Sequence, residues 1–202
     1  MRSYVRLDDF LDRIERDVYP ETPGEPHLSL TRTMIDALHK EGIFRAGLRV
    51  LDVGCGQGLA LEHFRRLGLE AVGVTLGPDV AVCRGKGLDA RPMDQNFLDF
   101  AEEEFDLLWC RHVLEHSIAP FFTLVEYRRV TKPGGIAYIE VPAPDTSAHH
   151  ETNPNHYSVL PRSNWLSLFA RAGFTMTHQV EHNFEVPCGP DTYWGFILRR
   201  SD

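Results

Sequence analysis

Residues 50–58 read Val-Leu-Asp-Val-Gly-Cys-Gly-Gln-Gly, and no other stretch limits the possible folds so strongly. The β-branched opening predicts a strand. Glycines at 54, 56 and 58 then call for a chain that turns sharply and approaches a ligand with no Cβ in the way. An amphipathic stretch follows at 59–67, so the unit is strand, turn, helix. From Leu48 onward the same alternation repeats: strands are expected at 49–53, 71–76, 90–93, 105–110 and 136–141, and helices at 59–67, 78–86, 121–130 and 163–172. Pro78 suits a first helical turn, Ser163 a cap and Gly173 a terminator. This alternation predicts a parallel sheet covered on both faces, a Rossmann-like three-layer α/β sandwich. Two tail segments, 174–183 and 191–200, read as a hairpin that completes seven strands with an antiparallel C-terminal edge strand.

Ahead of this domain, assigned to residues 47–202, lies an appendage of residues 1–46 that is too small to fold alone. Leu7, Phe10, Leu11, Ile14 and Val18 recur at helical spacing before Pro20. A second helix is expected to carry Leu30, Met34 and Leu38 on one face, with Gly42 near its end. The pair is read as a lid.

Charge and cysteine content narrow the function. Lys and Arg number 21 against 29 Asp and Glu, a net charge of −8, so no broad basic footprint for nucleic acid is present. Cys55, Cys83, Cys110 and Cys188 form no C-x-x-C pair, which points away from zinc or a disulfide framework and toward reduced thiols in a cytoplasmic protein. No apolar run reaches membrane-spanning length, and no membrane association is expected.

The glycine turn alone is shared by many nucleotide folds, but its spacing is G-x-G-x-G rather than the dinucleotide G-x-G-x-x-G. Three further segments follow in order: Asp94-Gln95 with Phe105-Asp106-Leu107, then Val113-Leu114-Glu115-His116, then Lys132-Pro133-Gly134-Gly135. Together they resemble the motifs of class I S-adenosylmethionine-dependent methyltransferases over residues 30 to 200. The resemblance implies S-adenosylmethionine as cofactor and S-adenosylhomocysteine as product. It implies that Asp52 and the backbone of Gly54, Cys55, Gly56 and Gly58 hold the methionine portion, and that Asp94 and Gln95 hold adenine with Leu76 packed on the ring. It places Cys110 and Arg111 below the transferred methyl. In one position the chain departs from the family: Thr75 stands where a carboxylate usually accepts from both ribose hydroxyls. A hydroxyl makes a weaker, single bond, and Asp79 is near enough in sequence to contribute.

Methyl transfer from a sulfonium is an in-line displacement that depends chiefly on alignment and exclusion of water. An acceptor carrying a proton needs a base, and His116 follows the fourth strand at the edge where open α/β sheets bind ligands. His112 is read as structural or as a cofactor neighbour. The long polar segment 145–158 is expected to wall the acceptor site through His150, His156 and Tyr157. No metal is expected, since no H-E-x-x-H or similar spacing occurs. The acceptor is therefore read as a small or medium-sized molecule methylated on O or N. RNA methylation and a non-catalytic cofactor-binding module stand as alternatives, and the sequence leaves the oligomeric state open.

Overall fold

The computed structural model describes residues 4–14, 22 and 24–202. The elements run α1 (Val5–Ile14), α2 (His27–Lys40), β1 (Arg49–Val53), α3 (Leu59–Arg66), β2 (Glu70–Thr75), α4 (Asp79–Gly85), β3 (Asp89–Pro92), β4 (Phe105–Arg111), α5 (Pro120–Val130), β5 (Thr131–Pro142), α6 (Arg162–Arg171), β6 (Phe174–Val186) and β7 (Gly189–Arg200). Short 3-10 turns lie at Leu114–His116 and His150–Thr152. The Val18 and Pro20 positions fall outside the described residues.

All seven strands join one sheet in the order β3-β2-β1-β4-β5-β7-β6. Strands β1 to β5 pair in parallel, while β7 runs antiparallel to both β5 and β6. The antiparallel strand therefore sits one place in from the edge, and β6 takes the edge itself. The hairpin joining them turns on Pro187 and Cys188 alone, because pairing extends to Val186 and Gly189.

Strand periodicity divides the core into two layers. Leu51, Val53, Leu108, Cys110, Ala137, Ile139, Phe196 and Leu198 point to one face, where α5 and α6 cover them with Leu124, Tyr127, Trp165 and Phe169. The intervening residues Val50, Leu107, Trp109, Ile136, Tyr138 and Ile197 point to the other face, against Met34, Ile35 and Leu38 of α2 and Phe64 of α3. Trp109 stacks on Tyr138 with ring centroids 4.4 Å apart. Helix α2 is thus built into the core, with Met34, Ile35 and Leu38 all buried. Full burial of each such side chain contributes about 1.5–3 kcal/mol.

Three local expectations are revised. Helix α6 begins at Arg162 after Pro161, with no side-chain cap; proline's fixed φ sets the entry, so Ser163 lies inside the helix rather than capping it. Strand β5 begins at Thr131, five residues early, because Thr131 pairs with Phe105. The Lys132–Gly135 turn is absorbed there as an irregularity between Phe105 and Leu107. Gly173 does end α6, with φ +88°.

Candidate active site

At the C-terminal end of β1 the three glycines adopt left-handed backbone, with φ of 69°, 47° and 84° at Gly54, Gly56 and Gly58. A Cβ on Gly54 would lie 2.0 Å from Val113 Cγ2, so this position excludes any side chain. The amides of Gly54 and Cys55 donate to the Val74 carbonyl at 2.8 and 3.0 Å. The loop is thereby fixed to the end of β2 and borders two adjoining hollows.

The first hollow lies between the loop and α2. Asp52, Gly54, Cys55, Gly56, Arg111, His27 and Thr31 line it. Asp52 is 3% exposed and its Oδ2 has no hydrogen-bond partner. Burial holds its carboxyl well above the usual range. A buried carboxyl without a donor is costly, and the amino group of a bound methionine moiety is a donor of the right kind. The residues present therefore fit the cofactor that the glycine motif implies.

The second hollow is a mostly apolar cleft. Val74, Thr75, Leu76, Asp79, Met93, Asp94 and Gln95 line it together with His112, Val113, His116, Asn155 and Tyr157. Asp94 Oδ1 accepts from the Asn96 amide at 2.6 Å. Gln95 borders the cleft, yet its side-chain amide is committed at both ends: Nε2 donates to the Val113 carbonyl at 2.8 Å and Oε1 accepts from Tyr127 Oη at 2.9 Å. Its side chain braces the cleft.

Cys110 does not line either hollow. It is fully buried on the α5 face, 3.5 Å from Tyr127 Oη, and burial pushes its thiol up to about 12. The alternation along β4 explains the correction: Trp109 and Arg111 face α2 and the first hollow, so Cys110 must face away from it. Cys55 meets the hollow within the loop, while its sulfur packs against Gly73 and near the Gly56 carbonyl.

Beneath both hollows lies a buried charge network. Glu140, with 0% exposure, accepts from Arg111 Nη2 at 2.5 Å, Tyr138 Oη at 2.5 Å and His112 Nε2 at 3.1 Å, with His182 Nε2 at 3.4 Å. Arg111 also bonds Thr31 of α2. Burial opposes the charge on Glu140, but Arg111 and the bonded histidines outweigh it and hold the carboxyl well below its usual range. His112 stands between Glu140 and Glu115, whose Oε1 is 3.4 Å from Nδ1. Burial disfavours its cation, yet the two carboxylates prevail and raise its pKa to about 9.

That shift predicts a pH effect. The pKa of His112 is raised on folding, so its contribution is fully present below its unfolded value of about 6.5 and is lost as pH climbs through about 9. Denaturant unfolding of the wild type should lose on the order of 3 kcal/mol between pH 6.5 and 9.5, and His112→Gln should flatten that slope. A parallel slope in the variant would clear His112 of the effect.

His116 Nδ1 lies 2.9 Å from the Asn155 carbonyl. A carbonyl only accepts, so Nδ1 carries the proton and Nε2 is the nitrogen left for chemistry. His156 repeats this arrangement, its Nδ1 donating to the His150 carbonyl at 2.9 Å, and its ring meets that of His116 edge-on at 4.7 Å. Burial lowers the pKa of His156 and favours the neutral ring. His150 is turned toward β7, where Nε2 meets both oxygens of Asp191 at 3.1 and 3.0 Å. It therefore anchors the 149–158 segment and does not line the cleft, whereas Tyr157 does.

Several residues at the site escaped the sequence reading. His27 and Thr31 come from the segment read as an appendage, and Glu115, Glu140 and Asp191 from strands and turns read as scaffold. Asn155 contributes through its carbonyl, which no side-chain motif reports. Glu115 stood inside a recognised segment, and a carboxylate four residues past the end of β4 was its available signal.

The chain matches the Methyltransferase domain family over residues 27–179. It is 34% identical over 141 residues to the ubiquinone biosynthesis O-methyltransferase of Xanthomonas oryzae pv. oryzae, covering 66% of this chain and 59% of that protein. The chain thus spans about three fifths of that relative's length. Among solved structures it resembles a methyltransferase from Archaeoglobus fulgidus that depends on S-adenosylmethionine, with TM-score 0.66, 20% identity, and coverage of 84% of this chain and 94% of that one. It also resembles the [4+2]-cyclase SpnF, with TM-score 0.70, 20% identity, and coverage of 98% and 93%. At these identities the structural likenesses establish the fold alone. The family match covers most of the chain, and with the glycine loop, the strand order and the paired hollows it makes this protein a member of the class I S-adenosylmethionine-dependent methyltransferase domain family.

Proposed function

We propose that the protein transfers a methyl group to an O or N atom of a small or medium-sized acceptor, with His116 accepting the proton the acceptor gives up. The observation that carries this reading is the fixed orientation of His116: Asn155 commits Nδ1 as donor, so Nε2 is the available base. The ring borders the same cleft as Thr75, Leu76, Asp94 and Gln95.

When bound, S-adenosylmethionine supplies an electrophilic methyl carbon on a sulfonium. Asp52 and the loop backbone would hold its methionine portion, Leu76 and Asp94 its adenine, and Thr75 with Asp79 its ribose. Asp79 is 4% exposed and borders the cleft, which suits it to supply the carboxylate that the end of β2 lacks. The apolar wall of Val53, Val74, Met93 and Val113 excludes water from the reacting atoms.

Calorimetry with S-adenosylmethionine, alongside mass detection of S-adenosylhomocysteine, tests the reading. Binding is expected, and Asp79→Asn should weaken it by about tenfold or more, as for loss of a charged hydrogen bond. Absence of binding to the folded protein at millimolar cofactor would overturn the proposal. Unchanged affinity in the variant would remove Asp79 from the ribose site.

A further inference from the structure

Helix α4 packs behind the glycine loop, and the contact between them holds two cysteines. Cys55 of the loop and Cys83 of α4 belong to one buried cluster with Leu61, Leu88 and Ala90. A single backbone oxygen neighbours both sulfurs: the Gly56 carbonyl lies 3.2 Å from Cys83 Sγ and 3.8 Å from Cys55 Sγ. The thiols also meet each other, the Cys55 S–H donating to the Cys83 sulfur. That bond, reinforced by burial, pushes the Cys55 thiol far above its usual range. The same bond and the nearby Lys86 ammonium outweigh burial at Cys83 and lower its pKa. A more acidic sulfur with a second thiol in contact is the arrangement in which a sulfenic acid resolves to a disulfide.

We propose that Cys55 and Cys83 are a site of reversible oxidation by hydrogen peroxide, and that the disulfide they form weakens the hold on the cofactor. The second half of the proposal rests on the cofactor reading above; the first half stands on the thiols alone. Cys55 is 7% exposed and borders the first hollow, which gives a small oxidant its way in. The chemistry balances with peroxide as the oxidant. One sulfur attacks a peroxide oxygen, the O–O bond breaks, and a sulfenic acid forms while that thiol's proton leaves in the first water. The second sulfur attacks the sulfenic sulfur, the S–O bond breaks, and the hydroxide departs with the second thiol's proton as another water. Two electrons pass from the sulfurs to the peroxide, and a dithiol reductant returns them.

The loop has little slack with which to absorb that bond. The amides of Gly54 and Cys55 are tied to the Val74 carbonyl, and Val113 already fills the space beside Gly54. A disulfide holds its sulfurs closer than a hydrogen bond does, so the movement falls on Gly56 and on α4. Gly56 borders both hollows. Helix α4 begins at Asp79, the residue assigned to the ribose. Oxidation thus disturbs the two ends of the cofactor site together.

The test uses the full chain carrying Cys188→Ser, which removes the exposed thiol. After treatment with hydrogen peroxide and digestion, mass spectrometry is expected to find the Cys55 and Cys83 peptides joined, and dithiothreitol to separate them. Calorimetry on the same preparations should show S-adenosylhomocysteine affinity falling by about tenfold or more on oxidation and recovering on reduction. Linkage then requires saturating S-adenosylhomocysteine to raise the midpoint potential of the pair by about 30 mV for each tenfold. Cys83→Ala, or Cys83→Ser should the alanine variant unfold, is expected to bind S-adenosylhomocysteine normally when reduced and to lose the response to peroxide. Two free thiols after peroxide, or a joined pair with unchanged affinity, would overturn the proposal. Failure of the reduced protein to bind S-adenosylhomocysteine would instead sink the cofactor reading, while the mass of the joined peptides would still decide whether the thiols pair.

Discussion

Glu140→Ala is expected to destabilise the protein by about 3–5 kcal/mol, the usual cost of breaking a buried ion pair by removing one partner. The carboxylate is fully buried and neutralises Arg111, whose side chain is only 7% exposed. Its loss would leave the guanidinium, the His112 imidazolium and the Tyr138 hydroxyl with an empty place where their bonds converged. Since a domain of this kind is stable by about 5–15 kcal/mol in total, guanidinium unfolding of the variant should show a midpoint shift that is hard to miss. Glu140→Gln keeps the shape and one acceptor, and should fall between the two. A loss below about 1 kcal/mol for the alanine variant would mean that water reaches Arg111 and the network is not sealed.

His116→Ala carries the other large expectation. Removing a general base typically lowers turnover by about 10²- to 10⁴-fold. The ring is remote from Asp52 and the glycine loop in sequence and does not line the first hollow, so cofactor affinity should stay within about twofold, a difference below the energy of one neutral hydrogen bond. Turnover is read as S-adenosylhomocysteine formed, and affinity by calorimetry on the same preparation. Equal turnover in the two proteins would take His116 out of proton transfer and leave alignment alone as the source of rate. A parallel loss of affinity would instead make it a structural support.

The parts of the site legible in the sequence are those whose chemistry is local. Strand β1 matches its expected span of 49–53, because an apolar β-branched run ending in glycine has few other solutions. The three glycines are needed where they occur, as the left-handed backbone and the contact at Val113 show. Contacts between distant segments were not legible. That Cys110 would face α5 follows from the phase of β4 against its neighbours, which one strand's sequence does not carry. That His150 would turn to Asp191 depends on a hairpin 41 residues away. The donor role of His116 Nδ1 depends on a backbone carbonyl, and every residue has one.

The last hairpin has a further consequence. Strand β7 supplies Asp191, which tethers His150, and Tyr193, whose ring packs on His27, His112 and His150. The glycine loop and the residues assigned to adenosine all lie before residue 96. On the proposed reading, the acceptor contacts of Asn155 and Tyr157 come from a later stretch of the gene than the glycine loop. Recombination among relatives that exchanges the segment after Pro142 is therefore expected to change acceptor preference while use of S-adenosylmethionine is retained.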